Sequence, residues 1–520
     1  MKIRWGSPAV TRYIRWFALY WIIALATHAE GLYQPMHNDL SVRLRVARDW
    51  RAGLKLYEET YENTQPTYFL FILLADSSRP EITHYLAETF LAAIAALSLY
   101  AAMRRTAPRC AMVAPVLLIA WTGIGGTFYG GQITEGISIW FDVIAMCLFF
   151  EAVRKNCCTL AFVSGICFFL MVSIRIPCVL HAVAYAPLLW VVSRDHGMRR
   201  AMWMVSAFLG GIILALAVMI LHALCYSYFH PFLQVLARNF EYAAGSRTPL
   251  PVSLERAWAT ISGIIHANPA FLILMALSIL VFLPKAFGPL RHERLWFWVS
   301  LLWLAAALAS AFPGGRHFAH YYHVVWPPVS VLSVLWLSRM GLFAREPRFR
   351  RRLAWGLTIA FTAMAVVLNV RGFARENLRD DPPRVAIQQA ADYLNKITAR
   401  DQPVPVPVWG QWAELWWRAP RPPVTRCFAP QCFYVINREM FEEWVKTMID
   451  QPPPLIVADE SLIGPLSHGS PYDNTEFRPP AGHPLYRLRQ LVDENYIEIH
   501  RIDDLSFLAR RNGPLDPHGK

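Results

Sequence analysis

Charged residues are scarce in this sequence: Asp, Glu, Lys and Arg make up 17% of its 520 residues, whereas hydrophobic residues make up 55%. A soluble globular domain carries about 25% charged residues. The composition therefore excludes an ordinary soluble protein and favours a polytopic membrane protein. The formal net charge is +13. Because the basic residues cluster in short loops between apolar runs, this charge indicates membrane topology and contact with membrane lipids, and no nucleic-acid partner.

Motifs of several enzyme classes are missing as well. The sequence has no P-loop, no GxGxxG after a strand, no CxxC pair, no HExxH and no internal repeat, so nothing in it supports the chemistry that those motifs carry. Its nine cysteines lie mostly within apolar runs, where they behave as small hydrophobic residues. Cys427 and Cys432 lie close together in a more polar stretch, and a disulfide between them is left open.

Long apolar runs organise most of the chain. After a basic N-terminus and a first run at 16–29, further runs lie near 82–103, 110–129, 136–153, 158–174, 177–193, 201–225, 259–284, 295–312, 321–338 and 353–370. Since a bilayer requires ~20 apolar residues, we predict about eleven transmembrane helices. Every second connection is basic, which places the N-terminus inside and the C-terminus outside. For the first run, a signal peptide cleaved after Ala29 is the alternative.

Residues 33–81 form the predicted first outer loop, which contains a helix lying in the membrane interface. Leu40, Leu44 and Trp50 share one face of this helix, and Gly53 is its predicted stop. The arginines of the helix are expected to face lipid headgroups: Arg43, Arg45, Arg48 and Arg51. The loop belongs to a predicted transmembrane catalytic domain, residues 1–371.

The composition changes after residue 371. Residues 372–520 are predicted to form a small α+β extracytoplasmic, or periplasmic, domain, with strands at 404–409 and 455–457 and a helix at 441–449. The predicted fold class is thus an α-helical polytopic membrane protein with a C-terminal α+β domain. The predicted location is the inner or plasma membrane, with the active site and the C-terminal domain on the outer side.

Ionisable residues at the outer membrane boundary are the candidate functional groups. The predicted topology places Asp39, Glu135, Arg175 and the run from Arg316 to Tyr322 on one side. Ionisable groups at membrane depth are costly and are usually paired or functional. This set suits chemistry on a lipid-linked phosphate, because a carboxylate can take a proton from an acceptor hydroxyl. An arginine can hold the phosphate leaving group through two N–H donors.

Spacing alone leaves a second interpretation open for each group. Asp39 can equally be the N-cap of the interfacial helix, and Glu135 can begin the next helix near its positive dipole end. Arg175 can extend to lipid headgroups. The following run contains more cations than an interfacial aromatic anchor needs, which favours function: Arg316, His317, His320, Tyr321 and Tyr322.

Four stretches, which follow one another along the chain, carry a resemblance to a known family. The first is Asp39 followed by Ala47, Trp50, Gly53, Tyr57 and Asn63 to Pro66. The second is Gln132-Ile133-Thr134-Glu135, and the third runs from Gly315 to Tyr322 and leads into Trp326-Pro327-Pro328. The fourth combines Val408-Trp409-Gly410, Glu414-Leu415 and Arg421 to Arg426.

Together these stretches resemble the GT-C superfamily of polytopic membrane glycosyltransferases. The members meant are the protein O-mannosyltransferases, the lipid A aminoarabinose transferases and the bacterial enzymes similar to them. The sequence departs from the family where Asn38 precedes Asp39, since several relatives have an acidic pair there. It also has Arg175 where lysine is frequent, and Trp416-Trp417 where a tyrosine is common. These departures leave the substrate open.

The resemblance implies a GT-C fold and a hexosyl- or pentosyltransferase. Its donor would be a polyprenyl-phosphate sugar, and its acceptor a hydroxyl of a glycan, lipid or protein. Asp39 would act as general base in an inverting displacement, and Glu135 would orient an arginine or the acceptor. The implied phosphate ligands are Arg175, Arg316, His317 and His320, and the implied substrate contacts are Tyr57, Tyr321 and Tyr322. No obligatory metal or other cofactor is implied.

Two other functional classes remain as alternatives. A transporter or flippase of lipid-linked saccharides would place ionisable residues near the midplane of the membrane and often shows repeated halves; here the ionisable residues gather on one side. A structural or assembly protein would work through its outer domain, and this hypothesis leaves the run from Arg316 to His320 unexplained.

Overall fold

The computed structural model describes residues 8–33, 38–106, 111–124, 131–245, 249–267, 292–312, 317–339, 383–406, 414–422, 438–459 and 484–518, apart from 61 and 63. It also describes residues 108, 128 and 412 and short pieces between 349 and 371. Cys427 and Cys432 lie outside the described residues, so the question of a disulfide between them stays open.

Helices make up most of this structure. In chain order they are α1 (Pro8–Thr27), α2 (Glu30–Tyr33), α3 (Asn38–Arg51), α4 (Pro66–Ala75), α5 (Pro80–Thr106), α6 (Val113–Ile124), α7 (Thr134–Lys155), α8 (Cys158–Ile174), α9 (Ala186–His196), α10 (Met198–Cys225), α11 (Phe229–Gly245), α12 (Leu250–Ala267), α13 (His292–Ser310), α14 (Trp326–Arg339), α15 (Pro383–Ile397), α16 (Leu415–Arg418), α17 (Arg438–Asp450) and α18 (Pro484–Asn495). Two 3₁₀ helices, Ile176–Tyr185 and Ala319–Val325, precede α9 and α14. The strands are β1 (Leu455–Asp459), β2 (Tyr496–Ile502) and β3 (Leu505–Arg510).

The chain divides into two compact units. The first unit combines Met1–Tyr33, Gln65–Cys225 and Ala243–Ala374. The second unit combines Gln34–Thr64, Tyr226–Tyr242 and Arg375–Lys520. The domain boundary between residues 371 and 372 stays a prediction.

The first unit is a helical bundle around a large apolar core. In it α7 packs against α5 and α8, and α8 packs against α10. The last contact is close because it uses glycine: a methyl group on Gly165 would collide with the carbonyl oxygen of Phe208, and one on Gly211 with that of Phe162. Small residues let helix backbones approach in this way in membrane proteins.

Among the described residues, four helical segments are long and apolar enough to cross a membrane: Pro80–Thr106, Thr134–Lys155, Ile176–His196 and Met198–Cys225. The apolar helices α6 and α8 are shorter. Along α10 large apolar side chains stay exposed, among them Ile213, Val218 and Leu221, as a lipid-facing helix requires. The chain is an integral membrane protein; the count of about eleven spans and their orientation stay predictions.

The second unit contains a three-stranded antiparallel sheet in the order β1-β3-β2. The central strand β3 is buried along nearly its whole length, and Leu455, Leu505 and Phe507 join its core with Leu394 of α15. The predicted helix at 441–449 and strand at 455–457 are confirmed as α17 and β1. Sequence analysis did not predict β2 and β3.

The strand predicted at 404–409 is wrong for its described part. Residues 404–406 form no strand, because the prolines at 403, 405 and 407 have no N–H to donate to a ladder. The segment still runs beside β1, since the carbonyl oxygen of Pro405 accepts a hydrogen bond from the N–H of Val457 at 3.0 Å. Residues 407–409 lie outside the described residues.

Candidate active site

Glu135 and Arg175 form a buried ion pair in the first unit. Glu135 lies in the first turn of α7, and Arg175 lies where α8 ends and the first 3₁₀ helix begins. The Nε–H of Arg175 donates to Oε1 of Glu135 at 2.9 Å, and the two side chains are only 7% and 5% exposed. The alternative interpretation, in which the side chain of Arg175 extends to lipid headgroups, does not agree with this buried pairing.

The remaining contacts of Arg175 leave part of its guanidinium for a ligand. Its Nη1 lies 3.4 Å from Oγ of Ser310 and 3.6 Å from Sγ of Cys178, and its Cζ lies 5.5 Å from the ring centroid of Tyr321. A guanidinium has five N–H donors in a planar fork. Within the part of the chain that the structure describes, these contacts use Nε and Nη1, so the two N–H groups of Nη2 remain.

His317 is tied to the protein through both ring nitrogens. Its Nε2 lies 2.7 Å from Oγ of Ser253, and its Nδ1 lies 2.8 Å from the hydroxyl oxygen of Tyr322. The backbone of His317 has a positive φ of 48°, and its carbonyl oxygen accepts from Thr260 at 2.8 Å. Burial, followed by the nearby Arg256 cation, lowers the pKa of His317. A lowered pKa favours the neutral form of His317. Through its hydrogen bond to Tyr322, this side chain fixes the loop that precedes the second 3₁₀ helix.

Two other residues of the same predicted run form an aromatic cluster. The ring of His320 stacks on Phe318 with centroids 5.6 Å apart and meets the edge of Tyr321 at 4.7 Å. Arg316 lies outside the described residues. His320 and Tyr321 thus lie near Arg175, whereas His317 and Tyr322 form a hydrogen bond with each other.

A second buried carboxylate, Glu88, was missed by sequence analysis. Its Oε2 lies 2.9 Å from Nδ1 of His28, and its Oε1 accepts from the indole N–H of Trp140 at 2.7 Å. The ring of Phe128 lies 4.7 Å from His28 and 6.2 Å from His323. A glutamate inside an apolar helix is a functional signal by itself, and this signal could have found Glu88. Asp142 of α7 is a third buried carboxylate, paired with His181.

Asp39 belongs to a charged cluster in the second unit. It lies in the first turn of α3, and its Oδ2 lies 3.1 Å from Nη2 of Arg43. The Nε of Arg43 lies 3.8 Å from Glu62 and donates to Oγ1 of Thr64 at 2.8 Å. Asp39 is 25% exposed, whereas Glu62 is 10% exposed. Asp39 is therefore the carboxylate of this cluster that an incoming molecule can reach.

The arginines of α3 do not form the predicted headgroup-facing surface. Arg43 is buried, and Arg45 pairs with Asp49 at 2.9 Å and donates to the carbonyl oxygen of Arg421. The guanidinium of Arg48 lies 3.1 Å above the ring of Trp417. The prediction was wrong for these three residues because each has partners inside the second unit: Arg43 within its own segment, and Arg45 and Arg48 also near residues 417–421. Arg51 is exposed.

Tyr57 anchors the loop that follows α3. Its φ is 67°, its side chain is buried, and its hydroxyl donates to the carbonyl oxygen of Thr64 at 2.7 Å. Its ring packs on those of Tyr228 and Phe232. The predicted helix stop also has a positive φ, of 104° at Gly53, which only glycine adopts readily.

The fold is similar to those of two solved membrane glycosyltransferases. The apo oligosaccharyltransferase of Archaeoglobus fulgidus matches with a TM-score of 0.51 and 14% identity, over 88% of this chain and 71% of that one. ArnT from Cupriavidus metallidurans, in its crystal structure bound to undecaprenyl phosphate, matches with a TM-score of 0.51 and 12% identity. That match covers 97% of this chain and 98% of ArnT.

No family model matches the sequence, and no curated protein matches it. At identities this low, the similarity concerns the fold. The chain shares the fold of these two glycosyltransferases, which agrees with the GT-C fold that the four sequence stretches imply.

Proposed function

We propose that the protein transfers a sugar from a polyprenyl-phosphate donor to an acceptor hydroxyl on the outer face of the membrane. The observation that carries this proposal is the buried Arg175, which Glu135 holds through Nε while the N–H groups of Nη2 remain for a phosphate oxygen. Arginine suits a phosphate because its planar fork can donate two hydrogen bonds. The GT-C fold supports the proposal, since ArnT shares it and was crystallised with undecaprenyl phosphate.

Arg175 acts on the leaving group in this reaction. As the bond between the anomeric carbon and the phosphate oxygen breaks, the electron pair goes to the phosphate, whose charge increases. A preorganised cation stabilises that developing charge without reorganisation. Glu135 keeps the guanidinium in place and charged. We include Arg316 and His320 as further phosphate ligands and Tyr321 as a sugar contact. His317, Tyr322 and Tyr57 support the loops around them.

Asp39 is the proposed general base. Its carboxylate takes the proton of the acceptor hydroxyl while the oxygen attacks the anomeric carbon opposite the phosphate, so the configuration inverts. Arg43 holds the carboxylate in one position. The proposal includes no metal, because the arginine supplies the positive charge at the phosphate.

The base assignment is tested by Asp39→Asn in membranes supplied with a panel of radiolabelled polyprenyl-phosphate sugars. We expect transfer to fall by about 10²- to 10⁴-fold, the usual range for a lost general base. Binding of undecaprenyl phosphate stays unchanged, since this variant retains Arg175. Asp49→Asn is the matched control, because Asp49 is also a carboxylate of α3 that pairs with an arginine four residues away.

Transfer at the wild-type rate by a folded, inserted Asp39→Asn protein would show that the base assignment is wrong. If the wild-type protein moves labelled lipid-linked saccharide across vesicles and transfers none of it, the flippase alternative is correct instead. Arg175→Ala separates the two roles further: we expect it to weaken the binding of undecaprenyl phosphate, which Asp39→Asn does not.

A further inference from the structure

The first 3₁₀ helix, Ile176–Tyr185, shows burial at every third residue. Arg175 at its N-cap is buried, as are Cys178, His181 and Ala184, whereas the residues between them are partly or fully exposed. A 3₁₀ helix has three residues per turn, so these four side chains stand in one row. Arg175 and His181 therefore face the protein together, two turns apart.

His181 makes a second polar contact with α7. Its Nδ1 lies 2.7 Å from Oδ2 of Asp142, and the indole N–H of Trp303 in α13 donates to the same oxygen at 2.7 Å. His181 and Asp142 are fully buried. A carboxylate oxygen accepts hydrogen bonds, so Nδ1 of His181 donates to Oδ2 in the tautomer that carries its hydrogen on Nδ1. The proposed reaction does not use this group.

The two contacts have matching spacings. Glu135 and Asp142 are seven residues apart on α7, which is two α-helical turns and about 10.5 Å of rise. Arg175 and His181 are six residues apart, which is two 3₁₀ turns and about 12 Å. In an α-helix the same six residues would turn His181 about 120° away from Arg175. The 3₁₀ conformation thus allows both contacts, and the two contacts in turn favour it.

The geometry points to Asp142, His181 and Trp303 as positioning residues for Arg175: they hold the 3₁₀ helix in register with α7, so that Arg175 stays opposite Glu135 with its Nη2 free for phosphate. This role rests on the proposed function of Arg175. It adds three residues that touch no substrate and act on the donor site through the helix that carries the arginine.

The first test measures the dissociation constant of undecaprenyl phosphate for the full-length protein in detergent. We expect His181→Ala to raise it on the order of tenfold or more, since misplacing a binding group by about 1 Å has effects of this size. His181→Asn restores binding, because its amide nitrogen can donate from about the position of Nδ1. The double variant Arg175→Ala/His181→Ala binds no more weakly than Arg175→Ala alone.

Trp303→Phe is the milder variant, and Trp296→Phe is its matched control. Both tryptophans are buried in α13, but the indole of Trp296 donates to Thr106 at 3.1 Å and not to Asp142. We expect Trp303→Phe to weaken binding and Trp296→Phe to leave it unchanged. Equal effects of the two, or additive effects of His181→Ala and Arg175→Ala, would overturn the positioning role.

The second test needs no ligand and reads the position of the 3₁₀ helix directly. Cys178 is buried in the same row, so we measure its alkylation by a small membrane-permeant reagent in a protein that keeps only this cysteine. His181→Ala and Trp303→Phe accelerate the reaction, whereas Trp296→Phe does not. Unchanged alkylation would overturn the inference. If the variants accelerate alkylation but the wild-type protein does not bind undecaprenyl phosphate, the proposed function is wrong. The role of Asp142, His181 and Trp303 in holding the 3₁₀ helix is then still correct.

Discussion

At the scale of single residues, the polar contacts of both units are built around carboxylates. Each carboxylate named below has a cationic or hydrogen-bonding partner. Glu135 pairs with Arg175, Glu88 with His28, and Asp142 with His181. A buried charge without a partner is strongly unfavourable. Removing one member of a pair leaves its partner uncompensated, so an alanine variant is compared with a milder one, as His181→Ala is with His181→Asn.

Glu62 gives a prediction about pH. Burial raises the pKa of Glu62 above its ordinary value of 4.5, and the Arg43 cation opposes this only in part. The folded protein thus keeps the proton to higher pH than the unfolded chain. The free energy of unfolding falls as pH rises from about 4.5 through the folded pKa, and the penalty is constant above it.

Glu62→Gln removes this pH dependence. We expect thermal unfolding in detergent to show that the wild-type protein loses stability relative to Glu62→Gln between pH 4.5 and neutral pH. Glu58→Gln is the control, because Glu58 is exposed in the same loop. A wild-type protein that gains stability relative to Glu62→Gln over this range would show that the pairing with Arg43 outweighs burial.

Sequence reasoning selected Glu135 and Arg175 as candidates because each borders a predicted apolar run, and Asp39 because it opens the helix of the first outer loop. It missed Glu88 and Asp142, which lie inside apolar runs and away from the predicted outer boundary of the membrane. Their partners are also distant in the chain: His28 is 60 residues from Glu88, and Trp303 is 161 residues from Asp142. No local spacing joins such residues. Only the packing of the helices brings them together.

At the scale of elements, the apolar runs predicted the helices well, since length and hydropathy suffice for that. The 3₁₀ conformation of Ile176–Tyr185 was not predicted, because the residues it packs against in α13 and the hydrogen bond of His181 to Asp142 in α7 lie outside the segment. The strands β2 and β3 were missed for a similar reason. Charged residues such as Glu498 and Arg501 interrupt the apolar pattern of β2, and its pairing with β3 forms the hairpin.

The contact between α8 and α10 gives a prediction at the same scale. In Gly165→Ala the new methyl group meets the backbone carbonyl of Phe208, which cannot rotate away, so the two helices must separate. We expect a loss of about 1–3 kcal/mol, the usual cost of overpacking, measured as a lower thermal unfolding midpoint in detergent.

Gly263→Ala in α12 is the matched control, because nothing lies within 4 Å of the position of its new methyl group. Alanine forms helices better than glycine by about 1 kcal/mol. Gly263→Ala is therefore expected to be neutral or stabilising. If Gly165→Ala is equally neutral, α8 and α10 are not in close contact through this glycine.

At the scale of the whole molecule, the orientation in the membrane decides which groups can meet an outer-face acceptor. The helix α10 has 28 residues and is thus about 42 Å long, which exceeds the ~30 Å apolar thickness of a bilayer. Arg194, Arg199 and Arg200 flank its first end. The positive-inside rule predicts that this end lies in the cytoplasm.

Reporter fusions at the two ends of α10 test this orientation. A fusion after Gly197 is expected to be active in the cytoplasm only, and one after Ser227 outside only, because a single apolar helix separates them. A fusion at the C-terminus of the full chain is expected to match the one after Ser227. If all three report one compartment, α10 does not cross the membrane. If the compartments are reversed, Asp39 and Arg175 face the cytoplasm, and the proposed transfer on the outer face of the membrane is wrong.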